Sequence, residues 1–148
     1  MRDPGKPVRP TRRPGEVRRI VATLLEQASA PMSAYDLCSM SANAQERLYV
    51  PQVYRALNEL IAEGKALRIE TLNAFCKRRP GRNAVGICAG CGQVQQIDMG
   101  EIHAALTQLF EQQDFASDRL IVEVNGRCFR CRSSTDDHKM DAARPDPA

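Results

Sequence analysis

Apolar residues recur along the first half of the chain at helical spacing and then change to alternation. Val17, Ile20, Val21, Leu24 and Leu25 follow the i, i+3, i+4, i+7, i+8 pattern of a helix with one buried face, from Gly15 to about Ala28, where Ala30-Pro31 ends it. A second helix starts at Met32-Ser33-Ala34-Tyr35-Asp36-Leu37, with Ser33 as N-cap, Asp36 closing a capping box and Met32 stapled against Leu37; it stops near Ser41. A third is predicted from Val50 to Gly64, because Pro51 suits the first helical position, Gly64 suits the stop, and Val53, Ala56, Leu57, Leu60 and Ile61 form one stripe. Its opposite face carries Gln52, Tyr54, Arg55, Asn58 and Glu59. Leu67 and Ile69 then alternate with polar neighbours, and beyond a Thr71-Leu72-Asn73 turn a second strand runs from Phe75 to about Lys77. Three helices and a two-stranded ribbon predict a winged helix-turn-helix, in which the polar face of the third helix enters the major groove of DNA.

The basic segment Lys77-Arg78-Arg79-Pro80-Gly81-Arg82 reads as a hinge. Beyond it, Ala84 to Cys88 and Gln93 to Ile97 are expected strands, and Ile102, Leu106, Leu109 and Phe110 mark a helix from about Gly100 to Gln112. Leu120 to Val124 is a third strand, followed by an Asn125-Gly126 turn. The fold class is therefore α+β: a winged helix-turn-helix followed by a small α/β domain. The expected divisions are a disordered basic arm (1–14), the winged-helix domain (15–79), the hinge (80–83), a metal-binding α/β domain (84–132) and a polar, disordered tail (133–148).

Cysteine spacing adds the chemistry. Cys88-Ala-Gly-Cys91 and Cys128-Phe-Arg-Cys131 each let two thiolates from one tight turn occupy adjacent corners of a tetrahedron, so together they form a candidate structural zinc site, with about one zinc per chain. Gly92, directly after the first pair, suits a backbone that must turn at positive φ. The alternatives are two redox disulfides or inert thiols. The gap from Gly92 to Arg127 exceeds ordinary zinc-ribbon spacing, so a folded unit must lie between the pairs.

At 148 residues and 43% hydrophobic content the chain can bury a core, and it holds no run apolar enough to span a bilayer. The basic, proline-rich N-terminus lacks the apolar region of a secretory signal, so a cytoplasmic protein is expected, in a compartment where paired cysteines favour metal over disulfide. Residues 1–82 carry 15 Lys and Arg against 8 Asp and Glu, while residues 83–148 carry 6 against 10. A basic half joined to an acidic half points to a polyanionic partner for the first half alone.

With a winged helix first and a four-thiolate unit second, residues 15–132 resemble the ferric uptake regulator family of bacterial repressors. Val53-Tyr54-Arg55-Ala56-Leu57, Ile87-Cys88-Ala89-Gly90-Cys91-Gly92 and Gly126-Arg127-Cys128-Phe129-Arg130-Cys131 carry the resemblance. Ala34-Tyr35-Asp36-Leu37 and Arg68-Ile69-Glu70-Thr71-Leu72-Asn73-Ala74-Phe75 are most similar to the zinc uptake branch. The resemblance implies a homodimer joined by the C-terminal halves, a palindromic double-stranded DNA operator and repression of metal-uptake genes. By position it makes Tyr54 and Arg55 recognition-helix contacts, on a face shared with Gln52 and Asn58. Arg offers a bidentate fork to a guanine edge or a phosphate, Tyr a contact to a thymine methyl or a sugar, and Arg18, Arg19 and the arm would reach the backbone or the minor groove. A half-buried Tyr54 that serves packing is the alternative.

The chain departs from the family at the sensor. Where the family places histidines before the first knuckle, this sequence has Arg78-Arg79-Pro80-Gly81-Arg82-Asn83-Ala84-Val85, and a guanidinium cannot lose its proton to bind a cation. Of the family's later ligands, one position falls at His103 and another at Leu120. A rebuilt regulatory site could draw on Cys76 and His103 with Asp98 or Glu101; otherwise Cys76 is a buried strand thiol. Cys38 and His138 are bystanders. The expected function is a DNA-binding repressor with structural zinc and atypical or lost metal sensing, the alternative being a zinc-stabilised protein-interaction module without DNA binding. A thiol oxidoreductase would need its Cys-x-x-Cys at a helix N-terminus, and neither pair has that context. No nucleophile, base or phosphate loop points to an enzyme.

Overall fold

A computed structural model describes residues 12–133; the arm before residue 12, the tail after residue 133 and His138 lie outside them. Helices α1 (Glu16–Gln27), α2 (Ala34–Asn43) and α3 (Val50–Ala62) are followed by the hairpin of β1 (Ala66–Ile69) and β2 (Ala74–Lys77). The start of α2 is built as its sequence signals: Asp36 donates its backbone N–H to Ser33 Oγ at 3.2 Å, and the Asp36 carboxylate accepts from the Ser33 N–H at 2.8 Å. The helix runs past Ser41, which is fully buried and is no terminator. Its hydroxyl donates to the Cys38 carbonyl at 2.7 Å and accepts from the Leu48 N–H at 3.0 Å, fastening α2 to the loop that leads into α3. At the other end of α3, Gly64 takes φ +68, and the Gly64 and Lys65 N–H groups reach back to the Ile61 and Leu60 carbonyls. That is a Schellman stop, which favours glycine because it needs a left-handed residue.

The core of this unit joins Val21, Leu24 and Leu25 of α1, Leu37 of α2, Val53, Leu57 and Leu60 of α3, and Phe75 of β2. Phe75 also bridges to Met32 by reciprocal backbone hydrogen bonds of 2.9 and 2.8 Å, adding a short third strand to the wing. The wing is buried on both faces. Strand alternation sends Ala66 and Phe75 towards the helices, and Leu67, Ile69 and Cys76 towards a second sheet, where they meet Val85, Ile87 and Val94.

That sheet consists of β3 (Ala84–Cys88), β4 (Val94–Ile97) and β5 (Val122–Gly126) in the order β4-β3-β5, with α4 (Glu101–Glu111) between β4 and β5 in the chain. β4 lies antiparallel to β3, and β5 lies parallel to it. Asn125 and Gly126, expected as a turn, are strand residues opposite Ile87 and Cys88. The parallel pairing outweighs the local turn chemistry, and the strand accordingly begins at Val122, two residues later than expected. Residues 129–133 form a helical turn, so the polar tail expected from Ser133 begins with an ordered residue: the Ser133 hydroxyl donates to the Phe129 carbonyl at 2.9 Å. Among the described residues no helix is long and apolar enough to cross a membrane.

Candidate metal centre and nucleic-acid interface

β3 and β5 end side by side, and this brings the two Cys-x-x-Cys knuckles together. The Ala89 N–H donates to the Gly126 carbonyl at 2.8 Å, the Cys88 N–H to the Gln93 carbonyl at 3.0 Å, and the Gly92 N–H to the Cys88 carbonyl at 2.9 Å. Gly92 turns at φ +70. Gly90 is needed for a different reason: a Cβ there would stand 2.8 Å from Cys131 Sγ. The four sulfurs of Cys88, Cys91, Cys128 and Cys131 lie within 4.8 Å of one another, and Cys91 Sγ is 3.8 Å from Cys128 Sγ. A tetrahedral zinc with Zn–S bonds of about 2.3 Å sets its sulfurs about 3.8 Å apart, so the constellation has the dimensions of a four-thiolate zinc site.

The electrostatics agree. The Cys128 N–H, donated to Cys88 Sγ at 3.2 Å, leads the backbone hydrogen bonds that bring the Cys88 thiol down to about 6. Hydrogen bonding among the neighbouring sulfurs, with Cys128 first, pushes Cys131 up to about 12. Four sulfurs this close cannot all carry negative charge without a cation among them, and a dication removes that conflict. These four cysteines are the one group of three or more His, Cys, Asp or Glu side chains among the described residues that could hold a metal ion.

On the winged unit, Arg55 and Asn58 project from the exposed face of α3, and Gln52, also exposed, uses its side-chain oxygen to accept from the Tyr49 N–H at 3.3 Å. The Arg55 side chain is 86% exposed and pairs with Glu59 one turn on, at 3.7 Å. Tyr54 is half-buried: it packs against the core with its ring edge-on to Phe75, centroids 6.3 Å apart. Arg19 is exposed on α1, while Arg18 is engaged by Glu63, which also holds Lys65 at 2.7 Å.

Among the described residues, Cys76 and His103 do not share a group of three potential ligands. The Cys76 thiol accepts from Gln96 Nε2 at 3.4 Å, and burial pushes it up, away from the thiolate that would bind a metal. His103 sits half-buried on α4, its carbonyl accepting from the Thr107 hydroxyl. Gln96, Glu123 and Gly90 carry no local sequence signal that predicts their contacts. A glutamine at an inward strand position and a glycine inside a Cys-x-x-Cys are visible in the sequence, but their partners lie far along the chain.

The molecule is thus a winged-helix unit joined through its wing to a sheet that carries a four-thiol metal centre. No family model matches the sequence. The zinc uptake regulation protein of Escherichia coli (strain K12) is 27% identical over 116 residues, covering 75% of this chain and 68% of that protein. A zinc uptake regulator complexed with zinc and DNA superposes with a TM-score of 0.76 at 26% identity, over 84% of this chain and 86% of that one. The holo form of a regulator designated XcZur gives 0.72 at 27% identity, over 80% and 85%. In sequence and in fold the chain is similar to zinc uptake regulators.

Proposed function

We propose that this chain is a zinc-stabilised, homodimeric transcription repressor that binds a palindromic DNA operator in the cytoplasm, and that it is a regulator and not an enzyme. The observation that carries the proposal is the pairing of a winged helix, whose third helix exposes Gln52, Arg55 and Asn58, with four thiols gathered within 4.8 Å of one another. A relative of the same fold is complexed with zinc and DNA. The dimer is supported by α4, none of whose residues is buried although Ile102, Leu109 and Phe110 are apolar; with Val124 and Phe129 they leave the second unit with an apolar surface suited to a second copy.

Metal sensing of the family's kind is absent in this proposal. Arginines occupy the hinge where imidazoles would be needed, and burial pushes the Cys76 thiol up, away from the thiolate that a metal would require. Zinc acts here as a structural ion at Cys88, Cys91, Cys128 and Cys131. Selection of duplexes from a random pool by the zinc-loaded protein tests the function: an inverted repeat read by a dimer is expected, and recovery of no enriched sequence would refute it.

A further inference from the structure

Gln96 of β4 and Glu123 of β5 are side chains of the second unit that grasp the backbone of the first. Gln96 is buried, and both ends of its amide are in use: Oε1 accepts from the Arg79 N–H at 2.8 Å, and Nε2 donates to the Lys77 carbonyl at 2.7 Å and to Cys76 Sγ. The partners admit one orientation of the amide, since a backbone N–H must face its oxygen and a carbonyl its nitrogen. Arg82 closes the same hinge from outside, donating to the Gln96 carbonyl at 2.7 Å. At the far end of the wing, the Glu123 carboxylate accepts from the Glu70 N–H at 2.6 Å and the Thr71 N–H at 2.9 Å, and Arg119 pairs with Glu70 at 3.3 Å. Between these two points the units meet in an apolar cluster of Ile69, Val85 and Ile87 with its half-buried neighbours. Apolar contact is non-directional, whereas hydrogen bonds to backbone atoms specify a register.

We propose that Gln96 and Glu123 are positioning residues which together hold α3 at one angle to the sheet, a task that needs no cation at the hinge. This rests on the DNA-binding dimer, because the angle matters where two reading helices must meet one duplex at a set half-site spacing. It gives the hinge arginines a physical role: Arg79 and Arg82 take part in the latch through a backbone N–H and a guanidinium, and neither binds metal.

The test uses the zinc-loaded full-length protein with Gln96→Met and Glu123→Ala, and two readouts. Amide hydrogen exchange without DNA is expected to quicken about tenfold or more at Arg79 in Gln96→Met, and at Glu70 and Thr71 in Glu123→Ala. With a duplex selected from a random pool, the double variant is expected to lose at least about fivefold of the preference for native over one-base-pair-altered half-site spacing, while binding an isolated half-site normally. Should Gln96→Met fail to fold, Gln96→Glu retains the acceptor for Arg79 and loses both donors; it is expected to keep Arg79 protected and to weaken the spacing preference. Unchanged exchange at these amides, or an unchanged spacing preference in variants that exchange faster, overturns the latch. Faster exchange in a protein whose wild type binds no duplex would instead refute the DNA-binding function, and with it the purpose assigned to the latch.

Discussion

Cys128 donates its backbone N–H to Cys88 Sγ at 3.2 Å, a contact between residues forty apart in sequence that joins the ends of two parallel strands. The contact explains how pairs separated by a whole strand-helix-strand unit form one site. β5 must complete its pairing with β3 before the second knuckle can meet the first, so metal affinity and the fold of the second unit are one equilibrium.

Removing one thiolate is therefore expected to unfold the second unit. Cys91→Ser should lose the metal and the dimer together, since structural zinc of this kind contributes roughly 10 kcal/mol or more of apparent binding free energy. Native mass spectrometry checks this, with about one zinc per chain expected in the wild type; a folded, metal-free dimer would contradict it.

Gly90→Ala tests the packing of the knuckle without touching a ligand. The added Cβ would meet Cys131 Sγ at 2.8 Å and Cys131 Cβ at 2.9 Å, so a knuckle must shift. Competition against a chromophoric chelator is expected to show faster zinc loss than in the wild type, and unaltered retention would mean that the knuckle yields freely.

Arg55 and Tyr54 should separate recognition from stability. Arg55→Ala removes an exposed side chain and is expected to weaken selected-duplex binding by about 1–3 kcal/mol with the melting temperature unchanged. Tyr54→Ala removes a ring packed against Phe75 and the core, so it is expected to lower the melting temperature as well. Calorimetry and fluorescence anisotropy on both variants check the division.

Acid should loosen the contact between the units. Partial burial alone would raise the Glu123 carboxyl, but the Thr71 side chain, the Thr71 and Glu70 N–H groups and the Arg119 charge outweigh it and hold the group below its usual value of 4.5. Between the folded and unfolded values the unfolded chain binds more protons, so this contribution is complete above about 4.5 and declines as pH falls below it. Chemical denaturation of wild type and Glu123→Gln is expected to give a stability difference that shrinks as pH drops through that window; a difference independent of pH would exclude the role.

The winged helix was legible because each of its signals is local: a capping box at Ser33, a proline and a glycine bracketing α3, and alternation in the wing. The four cysteines were legible from spacing alone. Where local chemistry competed with distant partners it misled, as at Asn125-Gly126, whose turn character gave way to pairing with Ile87 and Cys88. Gln96 and Glu123 carry no local signature, since their roles depend on backbone groups of the wing and hinge 17 to 53 residues away.

The protein proposed here is a DNA-binding dimer whose activity needs its four-cysteine zinc and no further metal. It is tested most directly by titrating zinc, iron and manganese separately into zinc-loaded protein with a labelled selected duplex, alongside a Cys76→Ser/His103→Ala variant. The expected result is an affinity that stays within about threefold across each titration and is the same for both proteins, corresponding to less than about 1 kcal/mol of coupling. A gain of about tenfold or more in the wild type that disappears in the variant would contradict the account by revealing a second, sensory metal site.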